Sequence, residues 1–232
     1  MKKKILIFGG VLIIILVLFA QIIIPQIATK TLSKQIKDAT LTDDVQLTLA
    51  STPNALIGLG RIDKVNAVAR EAKLGEVYVS ELTLDGDGVN IDMPALIGDG
   101  KLDLKAANSL KLKGIFSEEN LRELLSRKVD KLENVHVDIT SSRILMTAEV
   151  KIFGRTAEAD VEGIVVEDSG SLYFRMTHMN MKNALLGRLK LDNFFGDIPL
   201  VAADKLPMGL KFEDVTMQDG HITVTAERKN KQ

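Results

Sequence analysis

The sequence predicts an α+β protein, in which a mostly antiparallel sheet packs around one or two helices and follows an N-terminal transmembrane helix. Three observations lead to this fold class. An apolar run begins after the first four residues, apolar and polar residues alternate along much of the remaining chain, and a helix-start signal interrupts the predicted strands. Such alternation is typical of antiparallel strands that bury one face.

Residues 5–24 contain one polar side chain, Gln21, and follow three consecutive lysines. This length matches the ~20 residues that a helix needs to cross the hydrocarbon core of a bilayer. The lysines predict a cytoplasmic N-terminus, so the rest of the chain is expected on the outer side of the cell membrane. We therefore predict a single-pass signal anchor over residues 1–26, which Pro25 ends or kinks.

A cleaved signal peptide is the alternative. Signal peptides have apolar regions of only about 7–15 residues and a small-residue cleavage site. Here the run is longer, and Leu18 stands where the one plausible site needs a small residue. Both interpretations place the C-terminal domain outside the cytoplasm.

Residues 27–40 are predicted to form an amphipathic juxtamembrane helix, because apolar residues recur on one side. That side contains Ile27, Leu32, Ile36 and Ala39. Two interpretations fit this segment equally: a solvated stalk, or a helix that rests on anionic lipid headgroups.

Residues 41–228 are predicted to form one domain in which the apolar period changes from helical to two. The alternating runs include Val45–Leu49, Leu82–Leu84, Val135–Ile139, Ile144–Ile152, Ala157–Val165, Leu172–Met176 and Ile222–Val224. The pairs Asp87–Gly88, Ser169–Gly170 and Asp219–Gly220 predict hairpin turns.

Three helical segments are expected among these strands. Ser117 is a typical N-cap, and acidic residues follow it in the first turn. Leu121, Leu124 and Leu125 have the spacing of a helix that is buried on a sheet. A weaker helical pattern covers residues 180–189, and a helical turn is expected after Pro53, over residues 55–59.

The composition excludes several functions. The chain has no cysteine, which excludes disulfides and thiolate chemistry. A net charge of −1, no tryptophan and no basic tract argue against nucleic-acid binding. The three histidines are far apart, and residues 85–92 lack the spacing of a calcium loop. We therefore predict no catalytic site, no metal site and no cofactor.

The candidate site is apolar. Flexible apolar side chains suit a groove that accepts lipid acyl chains, although methionines also fill irregular gaps in a core. The candidate lipid-binding residues are Leu56, Ile57, Leu59, Leu121, Leu125, Met176, Met179, Met181, Phe194 and Phe195.

The order of short motifs after the membrane segment resembles the LmeA-like phospholipid-binding proteins of bacterial cell envelopes. The likeness extends over about residues 41–226 and is carried by Val45–Leu49, Pro53–Asp63, Leu82–Ile91, Phe116–Leu121 and Leu206–Leu210. The resemblance implies a strongly curved sheet wrapped around a helix, similar to tubular lipid-binding folds. It also implies a phospholipid ligand and a part in envelope lipid or glycolipid maturation or transport, and it carries no catalytic motif.

The expected function is therefore that of a membrane-anchored, extracytoplasmic protein that binds phospholipid acyl chains and is not an enzyme. One alternative is an envelope scaffold with a full core that binds a protein partner through a strand edge. Another is a glycan hydrolase or transferase, which requires Glu149, Asp160 and Glu162 to converge in a cleft.

Overall fold

The structure, a computed structural model, describes residues 2–128, 132–152, 155–182 and 197–228. Within these ranges the side chains of residues 2–20, 132, 150–152 and 155 are not described. The described chain is built mainly from two antiparallel sheets with few helices. The predicted mostly antiparallel architecture is thus confirmed, and the strands divide between two sheets.

The first sheet has seven strands and curls into a half-barrel. Its order is β1-β2-β3-β5-β12-β11, with β4 paired to β3. The strands are β1 (Val45–Ala50), β2 (Arg61–Leu74), β3 (Val77–Ile91), β4 (Leu104–Ala106), β5 (Ser109–Ser117), β11 (Lys211–Gln218) and β12 (His221–Glu227). The long β2–β3 hairpin closes at Gly75, whose φ of +64° a residue with a side chain seldom adopts.

The second sheet has five strands in the order β10-β9-β8-β7-β6. They are β6 (Leu132–Ile139), β7 (Ile144–Ile152), β8 (Arg155–Asp168), β9 (Ser171–Lys182) and β10 (Ile198–Val201). Strand β11 of the first sheet contacts β8 and β9. The turn at Gly220 also donates a hydrogen bond to the carbonyl of Ile139, with an N–O distance of 2.9 Å, so the two sheets are joined.

Helix α3 (Glu118–Lys128) lies at the junction of the sheets and contacts β3, β5 and β6. The N–H of Asn120 donates to Ser117 Oγ at 3.2 Å, and Asn120 Oδ1 accepts from the N–H of Ser117 at 3.0 Å. This reciprocal cap confirms the predicted helix start. Leu121, Leu124 and Leu125 are fully buried, as their spacing predicts.

Helix α1 (Lys2–Thr40) passes through Pro25 and ends inside the curl of the first sheet. Ala28 and Leu32 are buried in the same core as the sheet residues. On the predicted apolar side of residues 27–40, Leu32 is buried and Ile36 is half-buried against the core, whereas Ile27 and Ala39 are exposed. The solvated stalk and the helix on lipid headgroups therefore both stay predictions for this segment. The apolar period placed Leu32 on the buried side, but it did not identify the surface that covers this side.

Among the residues whose side chains are described, no helix has the length and apolar character needed to cross a membrane. Most of the predicted anchor, residues 1–26, lies outside that part of the chain. The anchor therefore stays a prediction, as do the predicted domain boundaries.

The short elements give mixed results. The turn expected after Pro53 is a 3₁₀ segment, Asn54–Leu59, and a short helix, α2 (Met93–Gly98), follows β3. The turns at Ser169–Gly170 and Asp219–Gly220 are confirmed. The predicted turn at Asp87–Gly88 is wrong, since both residues lie within β3 and Gly88 takes a φ of +57° there. Residues 180–182 belong to β9 rather than to a helix, and residues 183–189 lie outside the described chain.

Replacement of Gly163 tests the packing of the second sheet. A Cβ at Gly163 would lie 2.4 Å from Cζ of the buried Phe174 ring and 2.8 Å from the Arg175 carbonyl oxygen. We expect Gly163→Ala to lower the free energy of unfolding by about 1–3 kcal/mol, because overpacked cores must shift side chains and backbone. The measurement is urea denaturation followed by circular dichroism.

Gly98→Ala is the matched control. Among the described residues, no atom outside the chain neighbours and the backbone of α2 lies within 4 Å of a Cβ at Gly98, so the unfolding free energy of this variant should change by no more than about 0.5 kcal/mol. Equal stability of the two variants would contradict the described packing of Phe174 against Gly163.

Candidate functional site

A cavity of about 470 Å³ separates the C-terminal part of α1 from the concave face of the first sheet. We call it the helix–sheet cavity. Its volume falls in the range of roughly 300–1,000 Å³ that is usual for small-molecule sites. It is lined by Leu32, Gln35, Ile36, Ala39, Thr40, Leu47, Leu49, Ile62, Val65, Ala67, Ala69, Leu82, Leu84, Val89, Ile91, Leu102, Leu110, Leu112, Pro207 and Met208.

The alternation of the strands produces the apolar wall. Inward-facing residues from β1, β2, β3 and β5 stand side by side, and Ala67 pairs with Leu47 on one side and Leu84 on the other. The alanines at positions 39, 67 and 69 are too small to fill the space between helix and sheet. The cavity therefore results from small side chains on both facing elements.

The wall of the cavity carries no ionisable side chain among the lining residues that the structure describes. Two of them are polar, and each has a hydrogen-bond partner in the protein. The amide of Gln35 donates to the carbonyl oxygen of Gly100, and Thr40 Oγ1 donates to the carbonyl oxygen of Ile36 at 2.6 Å. A polar ligand group therefore gains little in this space, and an apolar ligand loses no hydrogen bond there.

One side of the cavity is accessible from outside. Leu47, Leu49 and Val65 line it but are only half-buried, although their neighbours deeper in the sheet are buried. At another point of the wall, Leu102 is 37% exposed. A long apolar group can thus reach the interior from the surface.

Near Leu102, helix α2 and strand β4 are joined by a helix cap and an ion pair. Asp92 Oδ1 accepts from the N–H of Ala95 at 3.0 Å, which caps α2. The Lys105 ammonium lies 2.8 Å from Asp92 Oδ2. The hydrogen bond from Lys105, with that from Ala95, holds the pKa of the Asp92 carboxyl below its ordinary value. These hydrogen bonds therefore favour the anionic form of Asp92, which is the form that caps α2.

The residues predicted to bind lipid lie in separate parts of the molecule, and the described ones do not line the cavity. Ile57 is buried, Leu56 is half-buried and Leu59 is exposed in the 3₁₀ segment beside α1. Leu121 and Leu125 are buried in α3, while Met176, Met179 and Met181 are half-buried on β9. Phe194 and Phe195 lie outside the described residues. A lipid contact at any of these positions stays a prediction.

The residues that line the cavity could be recognised in the sequence by their alternation with polar residues. Leu47, Leu49, Leu82, Leu84, Val89 and Ile91 all belong to the period-two pattern. That pattern predicts an inward direction, but it does not distinguish a filled core from an empty one. Alanine at successive inward positions of β2, Ala67 and Ala69, was the available sign that the space is not filled.

The three acidic residues considered for glycan chemistry do not face the cavity. Asp160 pairs with Lys182 at 3.3 Å, and Glu162 pairs with Arg143 at 3.0 Å. These charges lie on the half-exposed face of the second sheet, as the alternation predicted. Within the described residues, no group of three His, Cys, Asp or Glu side chains has the arrangement of a metal site.

Comparison with family models gives a match over most of the chain, residues 19–227, to the model described as LmeA-like phospholipid-binding. The chain belongs to this LmeA-like family. Searches of curated proteins and of solved structures gave no significant match. The family is defined as phospholipid-binding, which agrees with an apolar cavity that has an open side.

Substitution of alanines on β2 tests whether the cavity is real. Ala67 lines the cavity, whereas Ala72 is fully buried on the same strand and does not line it. We expect Ala67→Ile to leave the unfolding free energy unchanged or to raise it by about 0.5–2 kcal/mol, because filling a void adds contacts. Ala72→Ile should lower it by about 1–3 kcal/mol through overpacking.

Urea denaturation of the two variants supplies the measurement. A loss of stability in Ala67→Ile as large as that in Ala72→Ile would mean that no space is available beside Ala67.

Proposed function

We propose that this LmeA-like protein is a membrane-anchored, extracytoplasmic phospholipid-binding protein whose helix–sheet cavity shelters a lipid acyl chain. The observation that carries this proposal is an apolar cavity, with no ionisable side chain among its described wall residues, in a member of a phospholipid-binding family. A scaffold whose core is full would not contain such a cavity. The proposal includes no catalytic step.

The free energy of acyl-chain burial is sufficient for useful affinity. Each methylene removed from water contributes roughly 0.8 kcal/mol, so ten methylenes contribute about 8 kcal/mol before the cost of ordering the lipid. The described lining residues offer no charged partner for a phosphate, so the headgroup remains at the open side, near solvent or the membrane surface.

The anchor is supported by sequence. Residues 5–24 have the length and composition of a membrane span, and the preceding lysines favour a cytoplasmic N-terminus. The same helix, α1, continues into the sheet and forms one wall of the cavity. The anchor thus keeps the cavity beside its lipid source, where the effective lipid concentration is high. We further propose a part in the transport or maturation of envelope lipids or glycolipids, which membership of a phospholipid-binding family supports.

Photocrosslinking tests lipid binding in the cavity. The full chain is reconstituted in phosphatidylcholine–phosphatidylglycerol vesicles that contain a phospholipid with a diazirine on its acyl chain. We expect mass spectrometry to map crosslinks to β1, β2 and β3. Because Leu47 and Leu49 face the cavity, Leu47→Asp with Leu49→Asp should reduce this labelling at least about tenfold, since a carboxylate in apolar surroundings costs several kcal/mol.

Thr48→Asp is the control, because Thr48 lies on the same strand with an exposed side chain. It should retain wild-type labelling. Crosslinks confined to residues 5–24 in the wild-type chain would contradict lipid binding in the cavity.

A further inference from the structure

Large apolar side chains are exposed at one end of the first sheet. We define the apolar rim as Ile22, Ile23, Ile27, Leu59 and Ile97. Leu59 is 70% exposed, Ile22 is 61% exposed and Ile97 is 59% exposed. Single exposed apolar residues are ordinary in soluble proteins, whereas several at one end of a molecule indicate an interaction surface.

Contacts of the 3₁₀ segment place Leu59 beside the Ile22–Ile27 part of α1, and α2 starts from the same end of the sheet. A Cβ at Gly58 would lie 2.6 Å from Ile24 Cγ2, so the 3₁₀ segment lies directly against α1. The N–H of Ile91 donates to the carbonyl oxygen of Gly60 at 2.9 Å, which brings the end of β3 beside that segment. Helix α2 starts two residues later, at Met93, and contacts α1; the chain that follows α2 is tied to α1 at Gln35, whose amide donates to the carbonyl oxygen of Gly100.

Both short segments bury apolar side chains in the core and expose one large apolar side chain to the outside. In the 3₁₀ segment Ile57 is fully buried and Leu59 is exposed. In α2 Met93 and Leu96 are buried, while Ile97 is exposed. The buried residues fix each segment to the core, so the exposed positions are rigidly presented.

The chain itself indicates what covers this surface. The rim adjoins Ile22, where α1 continues toward its N-terminus as the apolar run of residues 5–20. A helix of that composition belongs in hydrocarbon. The hydrocarbon expected around residues 5–20 therefore also lies close to Leu59 and Ile97.

We infer that the apolar rim inserts into the outer surface of the bilayer from which α1 emerges, with Leu59 and Ile97 among the lipid acyl chains. This inference rests on the anchoring in the proposed function. Apolar side chains of interfacial segments enter the headgroup–acyl boundary by roughly 5–10 Å. The rim then holds the domain upright on the membrane, with α1 as its axis.

The rim lies close to the cavity. Ile62 and Ile91 line the cavity, and both lie next to the hydrogen bond between Ile91 and Gly60 at the base of the rim. Both side chains are buried and separate the rim from the cavity, whose accessible side is at Leu47, Leu49 and Val65.

Tryptophan fluorescence tests the inference without background, because the chain contains no tryptophan. Leu59→Trp and Ile97→Trp are the probes, each made in the full chain. Leu41→Trp is the control: Leu41 is 60% exposed, and it follows the other end of α1, about 25 Å from Ile24 along the helix axis. Each variant is reconstituted in phosphatidylcholine–phosphatidylglycerol vesicles whose acyl chains are brominated.

We expect the emission of L59W and I97W to be strongly quenched by the brominated acyl chains, and that of L41W to keep its intensity. Emission of L59W and I97W as unquenched as that of L41W overturns the inference. Blue-shifted but unquenched emission also overturns it, since a second copy or another protein then covers the rim.

Two further readouts separate this inference from the proposed function. Flotation of the same vesicles reports anchoring, and a chain that fails to float with them overturns both the anchor and the rim. Diazirine labelling of the cavity in the same variants reports acyl-chain binding. Cavity labelling that persists in a floating protein with unquenched rim probes overturns the rim alone.

Discussion

The packing of α1 against the concave face of the first sheet is the interaction on which the rest of the structure depends. A sheet that alternates apolar and polar residues has one face that must be removed from water. Here the sheet curls, and the helix occupies its concave side, where Ala28 and Leu32 are buried. The second sheet and α3 extend this core, but they do not line the space beside α1.

The fit between helix and sheet is close at Ile24 and loose toward the C-terminus of α1. Gly58 permits contact with Ile24, and any Cβ at position 58 would collide with that isoleucine. Along the C-terminal part of α1, the small side chains of Ala39, Ala67 and Ala69 leave the cavity open. Just after the helix, Thr42 Oγ1 donates to the carbonyl oxygen of Arg70 at 2.7 Å, which ties the chain to β2. The chain is thus held against the sheet on both sides of an unfilled space.

Much of this fold could be predicted from local chemistry. The Ser117 cap and the leucine spacing located α3, and alternation located most strands, because both signals depend on nearby residues. Nearby residues alone could not show that Asp87 and Gly88 do not form a turn. These two residues lie in a strand because β2 pairs with β3 over a long ladder. Long-range pairing overrides turn propensity wherever its ladder is extensive.

The candidate site was harder to predict than the fold. The methionines of β9 were predicted to bind lipid because methionine is adaptable. The cavity is instead lined chiefly by leucine, valine, isoleucine and alanine from other elements. Whether inward residues fill a core depends on the summed volumes of side chains from α1, β1, β2, β3 and β5. A single sequence gives each volume but not the distance between the helix and the sheet.

The most direct test of lipid binding is the observation of acyl-chain protons beside cavity methyl groups. Nuclear Overhauser effects would be recorded between the lipid and methyl-labelled full chain in phospholipid nanodiscs. If an acyl chain occupies the cavity, Leu82, Val89 and Leu112 show cross-peaks to lipid methylenes, while Ile144, buried in the second sheet, shows none. Lipid cross-peaks confined to residues 5–24, with none at the cavity methyl groups, would contradict the proposed lipid site.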